Sequence, residues 1–287
     1  MPGSQSESAA TVRLLVLGRR LRDLRLAAGK SLEDAAGVLG VSVLAVRRIE
    51  QGQVKWKLPY IRVLLEEYGV ERQEAGEFLA LAAEANRPGW WHRYRDALPD
   101  WFRAFMSLEE EAALIRVYEP HYVPGLLQSE GYARAVLSAG LHDPEEVERR
   151  VALRLQRQQL LARPGGPELW AVIDETVLRR PVVPPEVMRE QIDKLIDAVA
   201  LPNVRLQVIP FALCVHDGMY GPFHVFRFPF PELPDIAYAE NLPGAVYLDQ
   251  YEDVTAFAEA LDRMSAQAPP PQRTEAFLAG VRKEIST

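Results

Sequence analysis

Side chains able to do chemistry are sparse in this chain of 287 residues, and three groupings have types and spacing that point to a task. The first is cationic: Arg19, Arg20, Arg22, Arg47, Arg48, Lys55 and Lys57 fall within one short stretch. Guanidinium and ammonium groups at that density are ligands for phosphate oxygens and base edges. The second is Asp174-Glu175 with Arg179-Arg180, a mixed-charge set at the end of a strand, where mixed sheets often bind polar ligands. The third is His216-Asp217 beside Gly218 and Gly221, where an imidazole that switches charge near neutrality meets glycines that allow close backbone approach. Solvated surface charge is the ordinary explanation of the second grouping, and a turn histidine that of the third.

Catalysis finds no foothold in the pattern. The five histidines, His92, His121, His142, His216 and His224, show no metal-ligand spacing, and no nucleophile stands at a recognisable interval from a base. A glycine-rich phosphate loop is also missing, so no enzyme, metal site or cofactor is expected. The single cysteine, Cys214, has no intrachain partner, fits a reducing compartment and is expected as a small buried apolar residue. Met1 to Ala10 are polar and small, and no run of about 18 apolar residues occurs. A cytoplasmic protein with no membrane partner follows as the expectation.

Charge is segregated. The formal net charge is −7, yet Arg13 to Arg62 hold 11 basic and 4 acidic residues, a balance of +7 against −14 elsewhere. A small basic module joined to a larger acidic body suits a regulator whose body must not bind nucleic acid indiscriminately.

Periodicity supplies the elements that must position these groups. Leu14, Leu17, Leu21 and Leu24 mark a helix from Val12 to Ala28, stopped by Gly29. Ser31 caps a second helix, with Asp34 in the place of the usual Glu or Gln of a capping box, and that helix runs to Leu39. Gly40 permits a positive φ, Val41 tucks between helices, and Ser42 caps a third helix that ends near Gly52. Helices at 58–68 and 71–85 complete an all-α module of five helices. Two helices across a tight turn form a helix-turn-helix, which makes double-stranded DNA the first partner to consider.

Pro88-Gly89 and the aromatics Trp90, Trp91, Tyr94, Trp101 and Phe102 mark a boundary. The domains expected are a disordered tail at 1–11, a DNA-binding domain at 12–85, an aromatic linker at 86–106 anchored on a neighbouring domain, and a mixed α/β (α+β) domain at 107–287. In that last region a strand at 113–119 leads to helices at 129–138 and 144–162. Strands follow at 169–173, 204–209, 223–228, 236–239 and 245–248, with a helix at 186–200 making a β-α-β unit, and two helices at 251–266 and 271–285 close the chain.

Residues 12 to 85 resemble the lambda-repressor-like (XRE) helix-turn-helix family, whose pattern closes here with Ile49-Glu50-Gln51-Gly52. The resemblance implies that Ala35, Val41, Val46 and Ile49 are core and that Glu50 pairs with Arg25. Family members often carry a polar residue at the positions of Leu32, Val43 and Leu44, and this chain departs at all three. Two readings of helix three stay open. In one, Ser42, Val43, Leu44 and Ala45 face DNA, thymine methyls are read by apolar contact, and Arg48 with Arg47 supplies hydrogen bonds. In the other, the apolar patch contacts a protein.

The second half is similar to the C-terminal domain of uncharacterised function in actinobacterial antitoxin-like regulators. Val123-Pro124-Gly125-Leu126-Leu127-Gln128-Ser129-Glu130-Gly131-Tyr132-Ala133, Val172 to Pro181, Val208-Ile209-Pro210-Phe211 and His216 to Phe223 carry that similarity, in order, between about 107 and 285. It implies a transcriptional regulator, often encoded beside a small partner protein and linked to morphological development and antibiotic production. The expected function is a homodimeric, sequence-specific DNA-binding regulator whose second domain binds a small-molecule effector or a small neighbour-encoded protein. The alternative is an antitoxin-like interaction module that buffers such a partner without DNA.

Overall fold

The computed structural model describes residues 12–86, 100–229, 233–241 and 244–285. The expected tail at 1–11, and the part of the expected linker that holds Trp90, Trp91, His92 and Tyr94, lie outside the described residues. The chain divides into two compact units, with a break between Glu111 and Ala112 and Leu233 counted with the first.

The first unit is helical: α1 (Val12–Ala27), α2 (Leu32–Leu39), α3 (Val43–Glu50), α4 (Leu58–Glu67), α5 (Arg72–Ala85) and α6 (Asp100–Glu111). Leu14, Leu17 and Leu21 of α1 are buried with Ala35, Val46, Ile49, Ile61, Leu64, Leu65 and Phe78, so the apolar stripe read from the sequence is the core. The segment expected as linker becomes α6 from Asp100 onward. Its residues from Phe105 to Glu109 are all buried, and Arg13 Nε donates to Glu111 2.8 Å away. The apolar residues Phe102, Phe105 and Met106 stand three and four residues apart, and that helical spacing outweighed the aromatic composition that suggested a connector.

The second unit is built on one mixed sheet, β1 (Leu114–Glu119), β2 (Glu168–Asp174), β3 (Val204–Ile209), β4 (Phe223–Arg227), β5 (Ile236–Asn241) and β6 (Gly244–Leu248), ordered β3-β2-β1-β4-β5-β6. The three strands β1, β2 and β3 are parallel, and β4 to β6 are antiparallel neighbours. Between the strands run α7 (Glu130–Gly140), α8 (Pro144–Ala162), the short α9 (Thr176–Arg179) and α10 (Pro185–Val199), and α11 (Tyr251–Gln267) and α12 (Thr274–Glu284) follow them. The crossover through α10 is what parallel pairing of β2 with β3 requires.

Register fixes two faces. Tyr118, Val172, Ile209, Phe223, Val225 and Ala237 share a face with Val254, Leu261 and Met264 of α11 as one core. The opposite face, with Ile115, Val117, Ala171, Ile173 and Phe226, is buried as well, as expected for a sheet whose parallel half needs both faces covered. Buried amides tie the elements down. Gln207 accepts from Trp170 Nε1 at 2.8 Å and donates to Ser265 and Pro269 carbonyls, while Gln191 accepts from the Ser129 N–H at 2.7 Å and donates to the Leu127 carbonyl.

One expectation is corrected here. Cys214 is exposed, not buried, because the chain after β3 leaves the sheet in an irregular turn that presents Phe211, Cys214 and Val215 to solvent.

Candidate nucleic-acid interface

The turn between α2 and α3 is set by its own side chains. The Ser31 Oγ accepts from the Asp34 N–H at 3.0 Å, and Asp34 Oδ2 accepts from the Ser31 N–H at 2.8 Å, a complete capping box despite the shorter acid. Gly40 sits in the left-handed region at φ 64°, and the Val41 N–H returns to the Ala36 carbonyl at 3.0 Å. Ser42 then starts α3 by accepting from the Ala45 N–H at 3.2 Å.

Helix α3 is held against α1 in two ways. Arg25 donates through Nε and Nη2 to both Glu50 oxygens, at 2.6 and 3.0 Å, and through Nη1 to the Lys30 carbonyl, the pair being almost fully buried. The two backbones also nearly touch: a Cβ on Gly18 would lie 2.4 Å from the Glu50 carbonyl oxygen, and one on Gly52, at φ 64°, 2.7 Å from the Leu14 carbonyl. Only glycine fits at either place.

That anchoring decides which side of α3 is presented. Val46 and Ile49 are core, and Val43 is half-buried against the same core cluster. Leu44, Arg47 and Gln51 are exposed and Arg48 is half-buried, and positions 44, 47, 48 and 51 follow the three- and four-residue spacing of one helix face. The outward surface is therefore one leucine, two arginines and a glutamine. Ala45 is half-buried and Ser42 is exposed beside it. Gln51 is absent from the residues singled out in the sequence, although a glutamine amide is the standard bidentate reader of adenine. Its place in the Ile-Glu-x-Gly closing pattern hid that it continues the face of Arg47 and Arg48.

The flanking cations divide by what they touch. Arg22, Lys55 and Lys57 are exposed, and among the described residues no ion pair engages Arg22, Arg47, Arg48 or Lys55. Arg19 is half-buried. Arg20 instead bridges α1 to α5: Nη2 donates to Glu74 at 3.2 Å, and its guanidinium lies 5.7 Å from the centroid of the Phe78 ring. The Lys55–Lys57 loop is fixed by Trp56. Its indole N–H donates to the Ile49 carbonyl at 3.2 Å, its ring stacks on Phe78 with centroids 5.9 Å apart, and its backbone exchanges two hydrogen bonds with the Asn86 side chain. The sequence offered a lone tryptophan between two lysines as the signal for that anchor.

In the second unit the two polar groupings meet at the C-terminal ends of β2 and β3. Glu175 is buried, and its carboxylate accepts from Arg179 Nε and from the Phe211 N–H at 2.8 Å. Arg179 also pairs with Glu284 of α12. Asp174 Oδ1 accepts from the Thr176 N–H at 2.7 Å, and its other oxygen lies 3.6 Å from His216 Nε2. The His216 Nδ1 accepts from the Gly218 N–H at 3.2 Å, with the ring edge-on to Tyr118 at 5.7 Å. Asp174, Glu175, Arg179 and His216 are thus used within the fold, joining β2, α9, α12 and the loop after β3. Gly218 explains the close packing: a Cβ there would stand 2.3 Å from the Tyr118 ring. Asp217 alone of this set turns to the outer side, where it accepts from Arg263 Nε at 2.6 Å.

A family model described as a helix-turn-helix domain (HTH_31) matches residues 16–78, and one described as a domain of unknown function (DUF5753) matches residues 102–280. No curated protein and no solved structure matches the chain. Among the described residues no helix is long and apolar enough to cross a membrane.

Proposed function

We propose that this chain, which belongs to the DUF5753 family and carries a helix-turn-helix domain ahead of that domain, is a sequence-specific DNA-binding transcriptional regulator. The observation that carries the proposal is the outward face of α3, where Arg47, Arg48 and Gln51 are presented while Arg25 of α1 is buried on Glu50. Arg48 and Gln51 read base edges, Leu44 supplies apolar contact to thymine methyls, and Arg22, Lys55 and Lys57 hold phosphates. The Ser42 hydroxyl, exposed at the start of α3, adds a phosphate contact, and Arg19 and Arg20 give the surface its positive field.

One such module buries too little surface for tight binding alone, so a homodimer on a pseudo-palindromic site is part of the reading. The second unit is a non-catalytic sensor that takes a small molecule or a small partner protein and shifts DNA affinity, in the cytoplasm. Coupling of that kind requires that DNA shift the effector's affinity by the same factor. Retention of fragmented genomic DNA on the full-length protein at rising salt tests the binding reading. Discrete fragments should survive to higher salt than bulk DNA, and no retention above background at low salt would overturn it.

A second reading is favoured by Leu44, an apolar side chain 55% exposed at the centre of the face that should read bases. In this reading the module is an antitoxin-like interaction domain that buffers a small neighbour-encoded protein. Co-purification of such a protein at equal yield with wild type and Arg48→Ala supports it.

A further inference from the structure

The two edges of the sheet in the second unit are finished differently. On the β3 side the chain after α11 is bonded to the edge strand: Thr274 Oγ1 donates to the Leu206 carbonyl at 2.5 Å, and the Pro269 carbonyl accepts from the Gln207 side chain. On the β6 side the sheet ends, and among the described residues no strand pairs with the outer side of Gly244–Leu248. The backbone groups along such an edge are a template for another strand.

Sheet edges are ordinarily blunted by charge, proline or a bulge, and β6 has none of these. Gly244-Ala245-Val246-Tyr247-Leu248 holds no charged residue and no proline, and its pairing with β5 runs unbroken from Asn241 opposite Gly244 to Ala237 opposite Leu248. At its centre Val246 is 47% exposed. The chain around it is acidic, with Glu240 opposite Ala245 and with Asp249, Glu252 and Asp253 following the strand. An uncharged strip in an acidic domain is where a second copy can approach without repulsion.

Resting on the homodimer of the reading given above, we propose that β6 pairs antiparallel with β6 of a second copy across a two-fold axis at Val246, joining two six-stranded sheets into one. Two observations select this occupant. The first is fit: with Val246 opposite Val246, Gly244 of one copy meets Leu248 of the other and Ala245 meets Tyr247, so each larger side chain faces a small one. The faces agree as well, because residues 244, 246 and 248 lie on the α11 side with Ala237 and Ala239, and residues 245 and 247 lie on the other. The second is charge. Antiparallel pairing places Asp249, Glu252 and Asp253 of the two copies at opposite ends of the strip, whereas parallel pairing would bring them side by side.

The test is sedimentation of the full-length protein over a range of concentrations. An edge of five residues makes a small interface, so the wild type should dimerise with a dissociation constant on the order of 10 μM. Val246→Glu and Val246→Lys each set like charges face to face on the axis and should raise that constant at least about tenfold, and an equimolar mixture of the two should recover the wild-type value. Should either variant melt early, a covalent readout takes its place. In a Cys214→Ser background, Val246→Cys should form an intermolecular disulfide under mild oxidation, since opposed strand residues lie about 4.5 to 5.5 Å apart at Cα and disulfides span about 4.4 to 6.8 Å. Leu201→Cys, at an exposed position just before β3, should not.

A wild type still monomeric at about 300 μM, a dimer untouched by both charge variants, no recovery in their mixture, or a cross-link at position 201 as fast as at 246 overturns the proposal. Its failure is distinguishable from that of the regulator reading. A dimer lost in Val246→Glu, with no DNA retained by the wild type, leaves this interface standing and removes the regulator. DNA retention by a dimer indifferent to position 246 removes this interface alone.

Discussion

At the residue scale, the sharpest division runs between arginines that hold the fold and arginines left to face outward. Arg25 and Arg48 belong to the same short basic stretch, yet one is buried on Glu50 and the other lies on the presented face of α3. Replacing Glu50 by Ala leaves a buried guanidinium without its carboxylate, which costs about 3 kcal/mol or more, and thermal denaturation of the first unit reads that loss. Removing Glu74 from the exposed pair with Arg20 should cost under about 1 kcal/mol. Arg48→Ala should leave the melting temperature unchanged while costing about 1 to 3 kcal/mol of binding to the preferred site. Arg22→Ala or Lys55→Ala should weaken all sequences alike and flatten the slope of log affinity against log salt by about one. The Arg25–Glu50 pair was legible only through the resemblance to a known family. The bidentate geometry, and the emergence of Gln51 on the outward face of α3, needed the rotation of α3 about its axis. The burial of Glu175 and the exposure of Cys214 were illegible, because both depend on where the chain leaves β3.

At the element scale, turn and cap chemistry made the helix-turn-helix readable. Ser31, Gly40 and Ser42 each do locally what their residue types allow, and short-range hydrogen bonds do not depend on distant partners. Ser42→Ala should therefore lower stability by about 1 kcal/mol, read as a shift of the denaturation midpoint with unchanged slope. Gly52→Ala should be far more damaging than a cap, since the position combines a φ of 64° with a carbonyl 2.7 Å from the added carbon. A soluble-expression comparison with Gly37→Ala, where nothing lies within 4 Å, separates this contact from general helix effects. Strands were legible by length and alternation, and so was the β-α-β crossover. The order β3-β2-β1-β4-β5-β6 was not, since pairing between β1 and β4 joins segments more than a hundred residues apart. The helix α6 was missed because its apolar period begins inside a run of aromatic and proline residues that has the composition of a connector.

At the scale of the whole molecule, two half-buried titratable groups in the second unit give its stability opposite dependences on pH. Burial, with the nearby Glu240 charge adding and Arg154 opposing, pushes the Glu119 carboxyl up to about 8. Burial, with Arg157 adding, pushes the His224 imidazole down to about 3. A carboxyl raised in the folded state stabilises below its unfolded value of 4.5, and that contribution is lost as pH rises toward about 8. An imidazole lowered in the folded state contributes above its unfolded value of 6.5, and the contribution is lost as pH falls toward about 3. Glu119→Gln should flatten the decline of the melting temperature between pH 5 and 8 while leaving the acid limb set by His224 in place. A decline unchanged in that variant would remove Glu119 as its source.

The segregation of charge, +7 in a basic stretch and −14 elsewhere, was legible at once and agrees with a chain whose helix-turn-helix domain is matched at 16–78 and whose larger domain is matched at 102–280. The central claim is that the outward face of α3 reads DNA. Chromatin capture of the intact protein in its native cells, in parallel with Arg48→Ala at equal expression, tests it most directly. The account predicts discrete enriched sites sharing a two-fold sequence for the wild type, and their loss or relaxation in the variant. Equal enrichment of both proteins at the same sites, or no sites for either, would contradict it.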